Sequence, residues 1–212
     1  MTYPVTITVQ PAITSRNRLT TVFRLILAIP HIILVGGVGI GVASSQSSRG
    51  SSASYGGGEG GLLGAVAAFL AIVSWFTILF TGRHIAGIRQ FTAFYLRWRV
   101  RAIAYLTLLE DAYPPFGDAP YPASLEIADP AGPRDRLTVA LRLLMVVPHV
   151  LVLIFVLLAW FVTTVIAWFA ILFTGAYPQG LYDFGVGALR WVLRVQAYFL
   201  LMVDDYPPFS LT

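Results

Sequence analysis

The chain has no cysteine and no lysine, and few charges of either sign. Without cysteine there is no disulfide, no covalently attached c-type haem and no iron–sulfur ligation, and thiol usage says nothing about compartment. Charged residues make up only 11% of the 212 residues and hydrophobic residues 57%, whereas soluble domains carry roughly 25% charged residues. That leaves too little polar surface to cover a water-soluble globule, and the composition points to a bilayer. All 14 basic residues are arginine, against 10 acids, with a sequence pI near 9.6. Nucleic acid is nevertheless not the expected partner, because the arginines flank apolar runs and no separate basic domain tracks a phosphate backbone. Nor is there a phosphate-binding loop: Gly36-Gly37 and Gly56-Gly57-Gly58 lack the Lys-Ser/Thr ending and a preceding strand. No Ser–His–acid set has a recognisable context, and the carboxylates cluster in a central linker and at Asp204-Asp205. The expectation is a protein without enzymatic activity.

What is present is a unit written twice. Arg18-Leu19-Thr20, Arg24-Leu25 and Pro30-His31 return 118 residues later as Arg136-Leu137-Thr138, Arg142-Leu143 and Pro148-His149. Trp75-Phe76, Phe80-Thr81-Gly82, Leu96-Arg97-Trp98, Arg101 and Tyr113-Pro114-Pro115-Phe116 return 93 residues later, ending at Tyr206-Pro207-Pro208-Phe209. The difference of 25 residues is an insertion in the first copy. The units are assigned to residues 1–118, with a Gly/Ser-rich flexible insertion over 36–61, and 119–212. An internal copy of the first apolar segment argues that this segment is a structural element and not a cleaved signal peptide.

Each unit opens on an alternating run. Val5, Ile7 and Val9 face away from Thr6 and Thr8, and Leu125 and Ile127 away from Ser124 and Glu126, which predicts two short strands that pair with each other or with another subunit. Asn17 and Asp135 suit helix N-caps, and Gly82 and Gly175 suit helix C-termini. The apolar stretch 137–173 is too long for one perpendicular crossing of a core roughly 30 Å thick. It either turns as a hairpin or lies at the interface and then crosses. The insertion falls at its midpoint, and insertions are tolerated in exposed loops, so the hairpin is expected, with spans near 19–35, 62–80, 137–153 and 155–173. Segments 88–109 and 181–203 are amphipathic, with Arg97 and Arg101, repeated as Arg190 and Arg194, four residues apart. They are expected as interfacial helices anchored by Trp98, Trp191, Tyr105 and Tyr198, the alternative being a third and sixth span. With an even number of crossings per unit the repeats are parallel, and 13 of the 14 arginines fall on one side, Arg49 excepted, which places both termini in the cytoplasm.

The most suggestive polar set is Thr20, Arg24 and His31, repeated as Thr138, Arg142 and His149, with spacings that place each trio on one helical face. Ionisable groups within an apolar segment are candidate functional groups. Three readings compete. In the first, the histidine bonds a carbonyl freed by Pro30 or Pro148 and the arginine meets headgroups or a carboxylate. In the second, His31 and His149 are axial ligands to haem or a chlorophyll-type pigment. The third makes the Arg–His face part of a proton or anion path, without an intramembrane carboxylate to accompany it. Arg97, Arg101, Arg190 and Arg194 are candidates for binding anionic lipid or a partner subunit, and the Tyr-Pro-Pro-Phe motifs for rigid caps holding the third helix in place.

The run Arg136-Leu137-Thr138, Arg142-Leu143, Pro148-His149, Trp168-Phe169, Phe173-Thr174-Gly175, Leu189-Arg190-Trp191, Arg194, Tyr198 and Tyr206-Pro207-Pro208-Phe209 resembles a bacterial membrane family catalogued as domain of unknown function 4389. The resemblance covers both copies. The first departs from the pattern by its insertion and by Arg83-His84-Ile85 where the second has Ala176-Tyr177-Pro178. It implies a membrane protein and imports no mechanism. The fold expected is all-α and membrane-integral: two parallel repeats, each a short β-strand, a transmembrane helical hairpin and an amphipathic interfacial helix. The leading function is an accessory or scaffold subunit of a larger membrane complex or homo-oligomer. The alternative is a lipid-interacting or membrane-shaping module, followed by a channel or carrier, or a haem- or pigment-binding subunit. No metal and no other cofactor is expected, and membrane lipids and other membrane subunits are the expected partners.

Overall fold

The computed structural model describes residues 3–39, 60–129, 132 and 134–212. In chain order the elements are β1 (Val5–Val9), α1 (Arg18–Val35), α2 (Gly61–Thr81), α3 (Ala86–Leu106), β2 (Ala123–Ile127), α4 (Arg136–Thr174) and α5 (Gln179–Phe199). The helix ends form as the sequence predicts. The Asn17 side chain accepts from the Leu19 and Thr20 amides and that of Asp135 from Leu137, satisfying first-turn donors that have no partner inside the helix. Gly82 and Gly175 close α2 and α4 in the left-handed conformation, at φ 72° and 74°.

The expected hairpin does not form. α4 is one helix of 39 residues, about 58 Å long at 1.5 Å per residue, and it passes the proposed turn at 153–155 unbroken. α1 and α2, of 18 and 21 residues, together match that length and stack end to end. A Cβ on Gly61 would lie 2.4 Å from the Gly36 nitrogen and 2.7 Å from the Leu34 carbonyl carbon. One buried stripe runs through both rods in a single phase. On α4 it is Val139, Arg142, Val146, His149, Leu153, Trp160, Ala167 and Ile171; on the first rod Thr21, Arg24, Ala28, His31 and Val35 are followed by Ala67, Ser74 and Ile78. Nothing at 153–155 breaks a helix, and the insertion, of which 40–59 lies outside the described residues, leaves the rod at one point. Closing a long loop costs little more than closing a short one. Buried Arg99 donates to the Val35 and Gly39 carbonyls at this break, the second bond at 2.8 Å. Its counterpart beside unbroken α4 is Val192.

The rods lie side by side and antiparallel. The Arg16 amide donates to the Gly175 carbonyl at 2.9 Å and the Arg134 amide to the Gly82 carbonyl at 3.2 Å. Trp168 Nε1 donates to the Thr21 carbonyl at 3.0 Å and Trp75 Nε1 to the Val139 carbonyl at 2.9 Å. These contacts exchange under the 118- and 93-residue offsets, so the two units are related by a pseudo-twofold axis. The even-crossing argument for parallel repeats rested on hairpins, and these do not form. Arg18 and Arg136 each bring a guanidinium to the C-terminal glycine of the opposite rod, where a cation meets the negative end of the helix dipole.

α3 and α5 are largely buried within the protein. Residues 95–105 are buried apart from Arg97, and residues 185–198 apart from Arg190 and Arg194, because the rods cover one side and the sheet the other. β1 and β2 pair antiparallel, Val5 opposite Ile127 and Val9 opposite Ala123, with Val5, Ile7, Val9 and Leu125 turned inward. Exposed large apolar side chains gather elsewhere: eight on α1, six on α2 and sixteen on α4, against six on all other described residues. Three helices, α1, α2 and α4, are long and apolar enough to cross a membrane.

End-to-end stacking predicts that deleting residues 36–60 while changing Arg99→Val, which recreates the link seen in α4, yields a folded protein melting at or above the wild-type temperature. Circular dichroism melts check this, and a chain that no longer folds would mean that α1 and α2 do not continue one another.

Candidate functional site

Each rod carries a station where an arginine and a histidine meet the cover helix. Arg24 Nη1 donates to the carbonyls of Tyr105, at 2.8 Å, and Glu110, and its Nη2 to Asp111 Oδ1 at 2.6 Å. The guanidinium lies 4.4 Å from the centre of the Tyr105 ring. Arg142 repeats the arrangement, donating to Tyr198 O at 2.8 Å, Val203 O at 2.9 Å and Asp204 Oδ1 at 2.9 Å, and lying 4.3 Å from the Tyr198 ring centre. Each arginine is 2% exposed. The Tyr105 and Tyr198 carbonyls belong to the last turn of α3 and α5, and those of Glu110 and Val203 to the chain just beyond it. Arg16 and Arg134 complete the set. Arg16 donates to the Leu108 carbonyl and pairs with Asp111 at 2.9 Å; Arg134 donates to Leu201 O at 2.7 Å and pairs with Asp204 at 2.8 Å. Leu108 and Leu201 sit at φ 65° and 62°, a conformation costing a non-glycine residue about 1 kcal/mol or more, here held by these bonds.

The histidines sit two turns further along. Nδ1 of His31 accepts from Trp98 Nε1 at 3.1 Å, and Nδ1 of His149 from Trp191 Nε1 at 3.2 Å. Nδ1 is therefore unprotonated and any ring proton is on Nε2. The imidazoles stack on Phe116 and Phe209, at 4.6 and 3.9 Å between centroids, with Tyr113 and Tyr206 beside them. Each Tyr-Pro-Pro-Phe motif thus closes over a histidine. The tryptophans expected at headgroup level point instead into the protein. Thr20 and Thr138 stand apart from this face, their hydroxyls bonding back to the Asn17 and Asp135 carbonyls; the buried stripe takes Thr21 and Val139.

The outer arginines are mostly engaged within the chain. Arg97 and Arg101 both pair with Asp118, at 2.8 and 3.0 Å, and the Arg97 hydrogen bonds hold the Asp118 carboxyl below its ordinary range. Arg190 reaches the Ile7 carbonyl at 3.4 Å, and Arg194 the Thr212 carbonyl. Among the described residues no group of three or more His, Asp or Glu side chains gathers as a metal site. Arg16, Arg134, Asp111 and Asp204 were not singled out from sequence, although the 118- and 93-residue offsets pair them. Glu110 is unpaired by the duplication, its counterpart being Val203. It is 4% exposed with Oε1 unbonded, and burial raises its pKa to about 7.

Asp204→Asn leaves two buried guanidinium groups without their countercharge and is expected to cost about 3 kcal/mol or more, whereas Arg97→Gln at the exposed pair costs less than about 1 kcal/mol; chemical denaturation in detergent compares them. Glu110 holds its proton in the folded state up to about pH 7, well above its unfolded value, so its favourable contribution is complete below the unfolded pKa and is lost as pH rises through 7. Glu110→Gln should accordingly gain on wild type between pH 5 and pH 8, on the order of 3 kcal/mol, and parallel stability profiles for the two proteins would contradict this.

Comparison with curated proteins and with solved structures returned no match. The family described as domain of unknown function DUF4389 matches twice, over residues 60–117 and 136–210. The first match begins where α2 begins, on the far side of the insertion, and each match holds one C-terminal glycine, one cover helix and one Tyr-Pro-Pro-Phe motif. With more than half its length matched, and matched in tandem, the chain belongs to the DUF4389 family.

Proposed function

We propose that this protein is a non-enzymatic membrane module that embeds in a single leaflet and shapes or organises it. The rods lie flat in the bilayer plane, with α3, α5 and the sheet on the water side. The observation that carries the reading is the segregation of surface: exposed apolar side chains crowd α1, α2 and α4 along their whole length, while the Arg97–Asp118 and Arg89–Asp129 pairs lie on the opposite layers. A rod of about 58 Å set upright in a core of roughly 30 Å would carry those ion pairs into hydrocarbon or leave apolar turns in water. Laid flat, it does neither. Tyr113, Phe116, Tyr206 and Phe209, each roughly half exposed where the rods meet the cover, suit an aromatic rim at the headgroup level. Volume added to one leaflet alone expands it against the other, which favours curvature.

Tyr3 donates to the Asp205 carbonyl and Arg194 to that of Thr212, so Tyr3 and Thr212 lie with the cover layer. The arginine excess favours the cytoplasmic face of a bacterial inner membrane as the location. A second reading, an accessory or scaffold subunit or a homo-oligomer, is favoured by the duplicated and exposed pairs Phe76/Phe80 and Phe169/Phe173, since aromatic ridges are common at protein interfaces.

The chain has no native cysteine, so single cysteines report cleanly. In proteoliposomes, Thr14→Cys and Arg83→Cys, at opposite ends of the rod pair, are expected to react with a membrane-impermeant maleimide from the same side, while Leu144→Cys, Phe155→Cys and Phe173→Cys stay protected. Labelling of the two ends from opposite sides would rule out single-leaflet embedding.

A further inference from the structure

The duplication supplies an internal comparison for the outer arginines of α3 and α5. In the first unit Arg97 and Arg101 close on one carboxylate. Arg97 Nε lies 3.1 and 3.0 Å from the two Asp118 oxygens and its Nη2 2.8 Å from Oδ2, while Arg101 Nη2 lies 3.0 Å from Oδ1. Arg101 Nη1 donates to the Gly117 carbonyl at 2.8 Å. Two guanidinium groups one helical turn apart thus form a cradle for a forked pair of oxygens. The cradle is at the surface, with 42% of the Asp118 side chain exposed.

The second unit keeps the arginines and loses the acid. Arg190 and Arg194 stand 93 residues after Arg97 and Arg101, and the same offset carries Asp118 to Leu211. Among the described residues no carboxylate pairs with either guanidinium, neither Asp183, two turns before Arg190, nor Asp205, whose charge acts on Tyr3. Their partners are neutral: Arg190 Nε reaches the Ile7 carbonyl at 3.4 Å, and Arg194 Nη1 donates to the Thr212 carbonyl, its guanidinium 5.7 Å from the Tyr3 ring centre. Arg190 Nη1 and Nη2 and Arg194 Nη2 make no hydrogen bond and, unlike Arg194 Nε, are not shut away from solvent. Burial, and after it the like charge of Arg190, lowers the Arg194 pKa. Like charges four residues apart on a helix repel, and a bound anion removes that repulsion. The chain reaches the pair from Phe209, half exposed at the aromatic rim. Gly187, where the first unit has Phe94, lets this tail seat on α5, since a Cβ there would lie 2.7 Å from the Leu211 carbonyl oxygen.

We propose that Arg190 and Arg194 hold one external phosphate group, its two non-bridging oxygens taking the place that the Asp118 carboxylate takes in the first unit. Phosphate and carboxylate present the same fork to a guanidinium, and a membrane supplies phosphate at the height of its headgroups. An anionic lipid headgroup and free phosphate share this chemistry. The lipid source rests on the embedding proposed above and the cradle does not, so titration in micelles and the labelling of the rod ends fail independently.

The test uses the full chain, delipidated in maltoside micelles. Native mass spectrometry follows titration with dioleoyl phosphatidylglycerol and with dioleoylglycerol, which has the tails without the phosphate, and phosphorus NMR follows inorganic phosphate. One phosphatidylglycerol per chain is expected, with dioleoylglycerol not retained. Arg190→Gln and Arg194→Gln should each weaken binding at least tenfold, and Arg97→Gln should leave it unchanged. Asp118→Ala, which empties the first cradle, should raise the stoichiometry to two. Saturation by phosphatidylglycerol alone identifies a lipid headgroup, and saturation by inorganic phosphate identifies the free anion; either supports the site. No saturable binding of either, equal retention of dioleoylglycerol, wild-type binding in both arginine variants, or an unchanged stoichiometry in folded Asp118→Ala overturns it. A chain extended by Gly-Ser after Thr212 should bind as wild type does, and binding by the extended form alone, which would mean that the end of the chain fills the pair, also overturns it. Should Asp118→Ala fail to fold in a circular dichroism melt, the arginine variants decide.

Discussion

A guanidinium set about two turns inside an apolar helix, pointing into the carbonyls that end another helix, is the contact on which the rest of this fold depends. The rods are too uniformly apolar to choose a register against α3 and α5, since sliding by a heptad would exchange one set of aliphatic contacts for a similar one. Arg24 and Arg142 remove that freedom. Away from its carbonyls each would be a buried charge, at a cost of several kcal/mol, and in place each meets two carbonyls, a carboxylate and a tyrosine ring. The cover helices end on their own turns, the Leu109 amide bonding the Ala104 carbonyl and the Met202 amide that of Ala197, and the guanidinium groups bind the Tyr105 and Tyr198 carbonyls beside them. Once the register is set, Trp98 and Trp191 arrive opposite His31 and His149, and the Tyr-Pro-Pro-Phe motifs can close over the imidazoles.

Much of this was legible in the sequence. The duplication, the Asn17 and Asp135 caps, the glycine ends, the paired strands and the Arg–His face all follow from spacing. The hairpin was the failure, and its cause is instructive. An insertion was taken to mark a turn, but the stripe Thr21, Arg24, Ala28, His31, Val35 resumes in phase at Ala67, Ser74 and Ile78 once Gly61 is set in the place of residue 36. An unbroken phase is the signature of one helix interrupted, not of two helices folded back. The third helices misled for a different reason. Arg97 and Arg101 give α3 a polar stripe, which reads as a headgroup contact, and only the tertiary arrangement shows that Asp118 and the sheet cover that side. Of the station's acidic partners, Asp111 and Asp204 lie far from their arginines in sequence, and the offsets alone connect them.

Where the copies differ, the differences fall into two kinds. Arg99 against Val192 is explained by the interruption: a broken helix exposes carbonyls, and the side chain facing the break supplies donors to them. Trp160 and Gly185 against Ala67 and Thr92 exchange a large residue for a small one, with the indole nitrogen against Gly185 where a Cβ would stand 3.1 Å from it. Volume is redistributed across the layer, but the exchange also brings in a hydrogen-bond donor that alanine does not have. Size alone would have been met by leucine or phenylalanine.

The pseudo-twofold axis has a further consequence for how such a unit stands alone. The indole of Trp75 finds its acceptor on α4 and that of Trp168 on α1; each rod's C-terminal dipole is met by an arginine of the other unit; and each unit contributes one strand to a two-stranded sheet. A single unit therefore holds one half of every one of these interfaces, and the surface it would expose is complementary to itself. That is the geometry of an isologous dimer, in which the second copy need not be covalently attached. Tandem duplication keeps the interface and lets the halves diverge, so that one seam carries Ala67 and Ala71 where the other has Trp160 and Thr164.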